Sequence, residues 1–196
     1  FPHEAAAFDA RTGITYLTED TSDSAIYRHV PNHTTQPFVG GELQALKVSG
    51  KDRFMLSEGR KVDEAFNVEW VSVPDPQALK TSTRDQAHNA GAAFFSRGEG
   101  AWLADHHVYL CSTDGGPTRR GQLYRLDISP GGEDRLTLVA QAESNDSFDK
   151  PDNVTVSPWG DVFLAEDGDA PNRVRVLKPD GSLSYFAQNA VDGGDS

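Results

Sequence analysis

Three stretches of this chain can be laid on one another strand for strand, and that repetition limits the fold more than any other feature. In the middle copy, Glu99 to Ala104 leads into a turn at Asp105-His106-His107 and then into Val108 to Asp114, Gln122 to Ile128 and Leu136 to Ala142. The last copy reads Asp152 to Ser157, a turn at Pro158 to Asp161, Val162 to Asp167, Arg173 to Leu177 and Leu183 to Gln188. The first reads Glu4 to Asp9, a turn at Ala10 to Gly13, Ile14 to Asp20, Ala25 to Val30 and Leu43 to Val48. These runs are β-branched or alternate apolar with polar residues, and Gly, Pro, Asn and Asp clusters punctuate them. Four strands recurring about every 50 residues are the pattern of β-propeller blades.

The expected fold is therefore all-β: a partial β-propeller over residues 1–196 built of four-stranded antiparallel blades. The blade-like repeats fall at about 3–50, 93–144 and 151–190, and an insertion at about 50–90 carries an extra strand, Val68 to Val73. About three blades make a partial ring where about 4–8 close one, so the remaining blades of a longer chain are an expected partner. Ser82 to Asn89 is polar all round and is expected to be loop.

Charge narrows the partners. Eighteen basic residues against 30 acidic ones leave a net charge of -12, which argues against nucleic acid and leaves carboxylates in surplus for cations. No apolar run approaches the ~18 residues of a membrane span. The single cysteine, Cys111, excludes an internal disulfide and, mid-way along a strand, reads as a small buried hydrophobe. Trp70, Trp102 and Trp159 read as blade packing.

The alignment of copies also places the acids. Glu4, Glu99 and Asp152 occupy one position at the first strand of each repeat; Glu19-Asp20, Asp114 and Glu166-Asp167 follow the second strand. First strands line a propeller's channel, so the repeated position converges near its axis. Clustered carboxylates repel one another or take up cations, and all-oxygen donors suit Ca²⁺, Mn²⁺ or ferric iron. The same acids also fit ordinary solvated turns. Arg97, in "RGEGAW", presents a planar fork that matches phosphate oxygens, the alternative being a salt bridge to a neighbouring acid. His3 adjoins Glu4 and is placed to support a ligand; the remaining histidines lack zinc spacing.

The ordered strings "FPHEAAAFDARTGITYLTED", "GGELQAL", "RGEGAW", "VYLCSTDGG", "GQLYRLD", "PDNVTVSPWGDVFLAEDG" and "PDGSLSYFAQNA" resemble the PhoX family of alkaline phosphatases over nearly the whole chain. The resemblance implies a propeller of about six blades, Fe³⁺ and Ca²⁺ as cofactors in the channel mouth, and metal-dependent hydrolysis of small phosphoesters. It also implies a periplasmic or secreted location, although this chain carries no export signal. Position by position it makes Glu4 and Glu99 metal ligands, adds Glu19, Asp20, Asp152, Glu166 and Asp167 as further ligands, and gives Arg97 the catalytic and substrate-binding role. The family's iron site also draws on a cysteine and acids upstream of "PHEAA" that are absent here, which implies an incomplete site in this chain alone. Two other classes stay open: a calcium-dependent lactonase-like propeller, and a calcium-binding propeller module without catalysis.

Overall fold

The structure, a computed structural model, describes residues 3–131, 133–144, 147–169 and 171–190. Every strand of the three repeats forms. The first repeat gives β1 (Ala6–Phe8), β2 (Thr15–Leu17), β3 (Tyr27–Pro31) and β4 (Gly41–Val48). The insertion gives β5 (Ala65–Ser72) and a helix, α1 (Thr83–Asn89). The second repeat gives β6 (Gly98–Ala104), β7 (His107–Ser112), β8 (Gln122–Asp127) and β9 (Asp134–Gln141). The third gives β10 (Pro151–Val156), β11 (Val162–Glu166), β12 (Arg173–Leu177) and β13 (Leu183–Gln188). Within each repeat, successive strands pair antiparallel, the arrangement of a propeller blade.

The inserted strand has a structural task. β4 and β9 are the outermost strands of the first two repeats, and β5 pairs antiparallel with both, setting Leu46 opposite Trp70 and Phe66 opposite Leu136. The two repeats thereby join into one nine-stranded sheet, ordered β1-β2-β3-β4-β5-β9-β8-β7-β6. Two edges that would otherwise present unpaired N–H and C=O groups are hydrogen-bonded.

Strand alternation places the cores. On β9 Leu136, Leu138 and Ala140 face inward while their neighbours are more exposed, the period-two signature of a sheet packed on one face. Tyr16, Ile26, Leu46, Phe95, Leu110, Tyr124 and Leu136 fill the space between the first two repeats. Leu123, Phe148, Val154, Leu164 and Leu177 fill the space between the second and third, with Cys111 among them. Burial pushes the Cys111 thiol up and keeps it a neutral hydrophobe.

Two expectations are corrected. Thr83–Asn89 is helical, not loop: the Ser82 hydroxyl accepts a hydrogen bond from the Asp85 amide (3.1 Å), capping the first turn. Its inward face is also less polar than it reads, since Thr83, Ala87 and His88 are buried and the His88 ring stacks on Phe94 at 3.8 Å between centroids. The tryptophans are not uniformly packing residues. Trp70 is half-buried, with Nε1 donating to Asp134 Oδ2 at 2.9 Å, but Trp102 is 44% exposed and Trp159 71% exposed. Trp159 instead closes its own turn by donating to Asp161 Oδ2 at 2.8 Å.

The first strands of the three repeats, β1, β6 and β10, stand side by side. Thr18 ties the first two: its hydroxyl accepts from the Ala5 amide (3.0 Å) and donates to the Glu99 carbonyl (2.5 Å). Thr113 ties the next two by donating to the Pro151 carbonyl at 2.9 Å. Between β6 and β10 the approach is so close that a Cβ on Gly100 would lie 2.8 Å from both Asn153 Cα and the Asp152 carbonyl oxygen. Only glycine fits there.

Candidate functional site

The contacts between first strands bring five of the seven predicted acids, Glu4, Asp20, Glu99, Asp152 and Asp167, toward one place. Arg97 is the hub. Its Nε and Nη2 bind the two oxygens of Asp20 at 2.7 and 2.9 Å, and Nη2 also donates to Glu99 Oε1 at 2.9 Å. Nη1 makes no hydrogen bond among the described residues. The backbone at Arg97 has φ 45°, a left-handed conformation that costs a residue with a side chain free energy and is tolerated where surrounding contacts hold it. Here the Arg97 amide donates to the Thr21 carbonyl (2.8 Å) and the Arg97 carbonyl accepts from the Thr113 amide (3.0 Å).

Glu99 is buried and crowded by like charge. Desolvation, then the charges of Asp20 and Asp152, push its carboxyl up to about 8; Arg97 opposes the shift and Glu4 adds to it. Asp152 is also raised, by burial first and by Asp167 next, against the lowering effect of a hydrogen bond with Glu99 and of Arg97. Glu4, Asp20, Glu99, Asp152 and Asp167 thus form one electrostatic cluster with Arg97 inside it. Glu4 is exposed on the approach to β1, its amide donating to the Thr18 carbonyl at 2.9 Å, and His3 beside it is exposed.

The structure does not bring Glu19 and Glu166 to this cluster. Glu19 is buried and accepts from Tyr27 Oη at 3.0 Å and from Arg84 Nη1 of α1 at 3.3 Å. Glu166 is buried against Arg175, Nε to Oε1 2.9 Å, and also accepts from the Asp149 amide at 3.2 Å. In both Glu-Asp pairs the glutamate is therefore anchored inside by an arginine, while Asp20 binds Arg97 and Asp167 is exposed. The second repeat has Thr113-Asp114 at that position; Asp114 accepts from Ser96 Oγ (2.5 Å) and from Arg119 Nη2 (2.6 Å).

The donor set is all oxygen, and burial first and neighbouring carboxylates second raise Glu99 and Asp152, a set of donors that fits a hard cation. The side chains are nevertheless gathered around Arg97. Among the described residues no group of three or more His, Cys, Asp and Glu side chains is arranged to hold an ion.

Sequence reasoning missed the cations next to this cluster. A cavity of about 350 Å³ adjoins Arg97 and is lined by Arg119, Arg120 and Lys150 together with Asp114 and Asp169. One signal was available: Lys150 precedes Asp152 by the same two residues that separate Arg97 from Glu99.

Among the described residues no helix is long and apolar enough to cross a membrane. Comparison with known proteins agrees with the arrangement of strands. The structure superposes on that of Pseudomonas fluorescens PhoX in complex with vanadate, a transition state analogue, with a TM-score of 0.72 at 16% identity. The match covers 98% of this chain and 45% of that one, so the chain spans less than half of its structural neighbour. No curated protein matches. The sequence matches the family described as alkaline phosphatase PhoX over residues 1–195, and the chain belongs to that family.

Proposed function

We propose that the protein hydrolyses small phosphoesters and that Arg97 holds the phosphoryl group. The observation that carries this reading is Arg97 itself: a guanidinium anchored through Nε and Nη2 on Asp20 and Glu99, with no hydrogen bond at Nη1 among the described residues, lining a cleft. A fork fixed on one side and open on the other is preorganised for a phosphate, and it keeps its charge because the hydrogen bond to Asp20 raises its pKa further. Glu4, Asp20, Glu99, Asp152 and Asp167 are the residues that would hold Fe³⁺ and Ca²⁺. Such cations supply charge neutralisation and an ionised water when bound.

In this reading Arg97 orients the ester and offsets charge that grows on the equatorial phosphoryl oxygens. Asp20 and Glu99 hold the guanidinium in place, while Glu19 and Glu166 brace the strand ends from inside. The family's habit of export supports a periplasmic or extracellular location.

The test is phosphate release from 4-nitrophenyl phosphate and its diester by the full-length protein, alongside metal analysis. Iron with calcium, and turnover lost on chelation or in Glu99→Gln, are expected. Lactone hydrolysis without phosphate release, or one calcium with no hydrolysis at all, would replace this reading with the lactonase or the non-catalytic module.

A further inference from the structure

The cleft beside Arg97 holds more positive charge than one phosphoryl group requires. Four cations, Arg97, Arg119, Arg120 and Lys150, line it against two acids, Asp114 and Asp169, in a chain whose net charge is -12. Each of the three additional cations keeps a carboxylate on one side only. Arg119 Nη2 lies 2.6 Å from Asp114, Arg120 Nη1 2.8 Å from Asp149, and Lys150 Nζ 3.5 Å from Asp169. The Arg119 side chain is 75% exposed, and its Nε and Nη1 make no hydrogen bond among the described residues.

Backbone conformation singles out the same residues. Seven non-glycine residues among those described have positive φ, and three of them are cations of this cleft: Arg97 at 45°, Arg119 at 54° and Lys150 at 47°. A left-handed conformation is unfavourable for any residue with a Cβ, so three in one cleft is strain concentrated at one place. Arg97 and Lys150 are repeat equivalents. Each sits two residues before its acid, and each carbonyl accepts from an amide at the end of a second strand, Thr113 for Arg97 (3.0 Å) and Asp167 for Lys150 (2.9 Å).

We propose that Arg119, Arg120 and Lys150 form a second anion subsite that takes a further phosphoryl group of the substrate, so that bisphosphorylated compounds are preferred over simple monoesters. The inference rests on the phosphoester reading above and extends it to substrate class. Two guanidinium forks and an ammonium suit the three oxygens and double charge of a phosphoryl group better than the single charge of a carboxylate. A cavity of about 350 Å³ has room for that group and a short linker back to Arg97.

The experiment compares butyl phosphate with 1,3-propanediol, 1,4-butanediol and 1,6-hexanediol bisphosphates as substrates of the full-length, metal-loaded protein. The best bisphosphate is expected to exceed butyl phosphate in kcat/KM by about tenfold or more, mainly through KM, as charge-assisted contacts to one further phosphoryl group imply. Arg119→Ala should bring that ratio close to one and Arg119→Lys should retain part of it, in variants whose melting temperatures confirm folding. Equal kcat/KM values in the unaltered protein, or a ratio that Arg119→Ala leaves in place, overturn the subsite. If neither compound is turned over, the phosphatase reading falls alone, and the subsite is decided by calorimetry with 1,4-butanebisphosphonate against butylphosphonate. Tighter binding of the bisphosphonate that Arg119→Ala removes supports it, and equal binding ends it.

Discussion

Glu99 on β6 and Asp152 on β10 crowd one another where Gly100 lets the two first strands touch, and after burial and Asp20 the charge of Asp152 helps push the Glu99 carboxyl up. The folded chain therefore binds a proton at this place more tightly than the unfolded chain does. Glu99 goes from its ordinary 4.5 to about 8, a raised acid, so its favourable contribution is complete below pH 4.5 and is lost as pH rises through about 8. The expected result in metal-free protein is a melting temperature that falls between pH 5 and 9. Glu99→Gln should flatten that fall and raise the melting temperature at pH 9. A flat profile in the unaltered protein would contradict the crowding of carboxylates.

Arg97→Lys keeps the charge and removes the fork that spans Asp20 and Glu99. A loss of about 10²–10³ in kcat/KM is expected, the scale seen when one positioned transition-state donor is removed. Steady-state kinetics on a monoester decide it, and near-normal turnover would remove Arg97 from the reaction.

Gly100→Ala tests the approach of first strands. The new Cβ would meet backbone atoms of Asp152 and Asn153 at 2.8 Å, and backbone cannot swing aside as a side-chain tip can. A destabilisation of about 1–3 kcal/mol is expected, together with weaker activity, because the acids of β6 and β10 would move apart. Denaturant unfolding gives the first quantity.

Removing Arg175 leaves Glu166 charged and buried in the third repeat. Arg175→Met is expected to cost about 3–5 kcal/mol, and adding Glu166→Leu to recover a large part of it, since a paired replacement leaves no orphan charge. Equal stability of the single and double variants would show that the pair is not the cause.

The period-two strands, the turns between them and the repeat that aligns Glu4, Glu99 and Asp152 were legible from the sequence, because they depend on local periodicity and on residue types that a turn demands. Family membership was legible in the same way, from motifs in order. Three matters were settled only by packing. Nothing local told the glutamate of each Glu-Asp pair from the aspartate. Glu19 turns inward because α1 delivers Arg84 to it, and Glu166 because β12 delivers Arg175. The helix itself formed against its polar composition, since Thr83, Ala87 and His88 could be buried only once the insertion had folded back on the first repeat. The basic cleft joins Arg97 to residues more than 20 positions away, Arg119 and Arg120 in one loop and Lys150 beyond β9. Their convergence depends on how neighbouring blades meet, and a chain's local preferences carry no record of that.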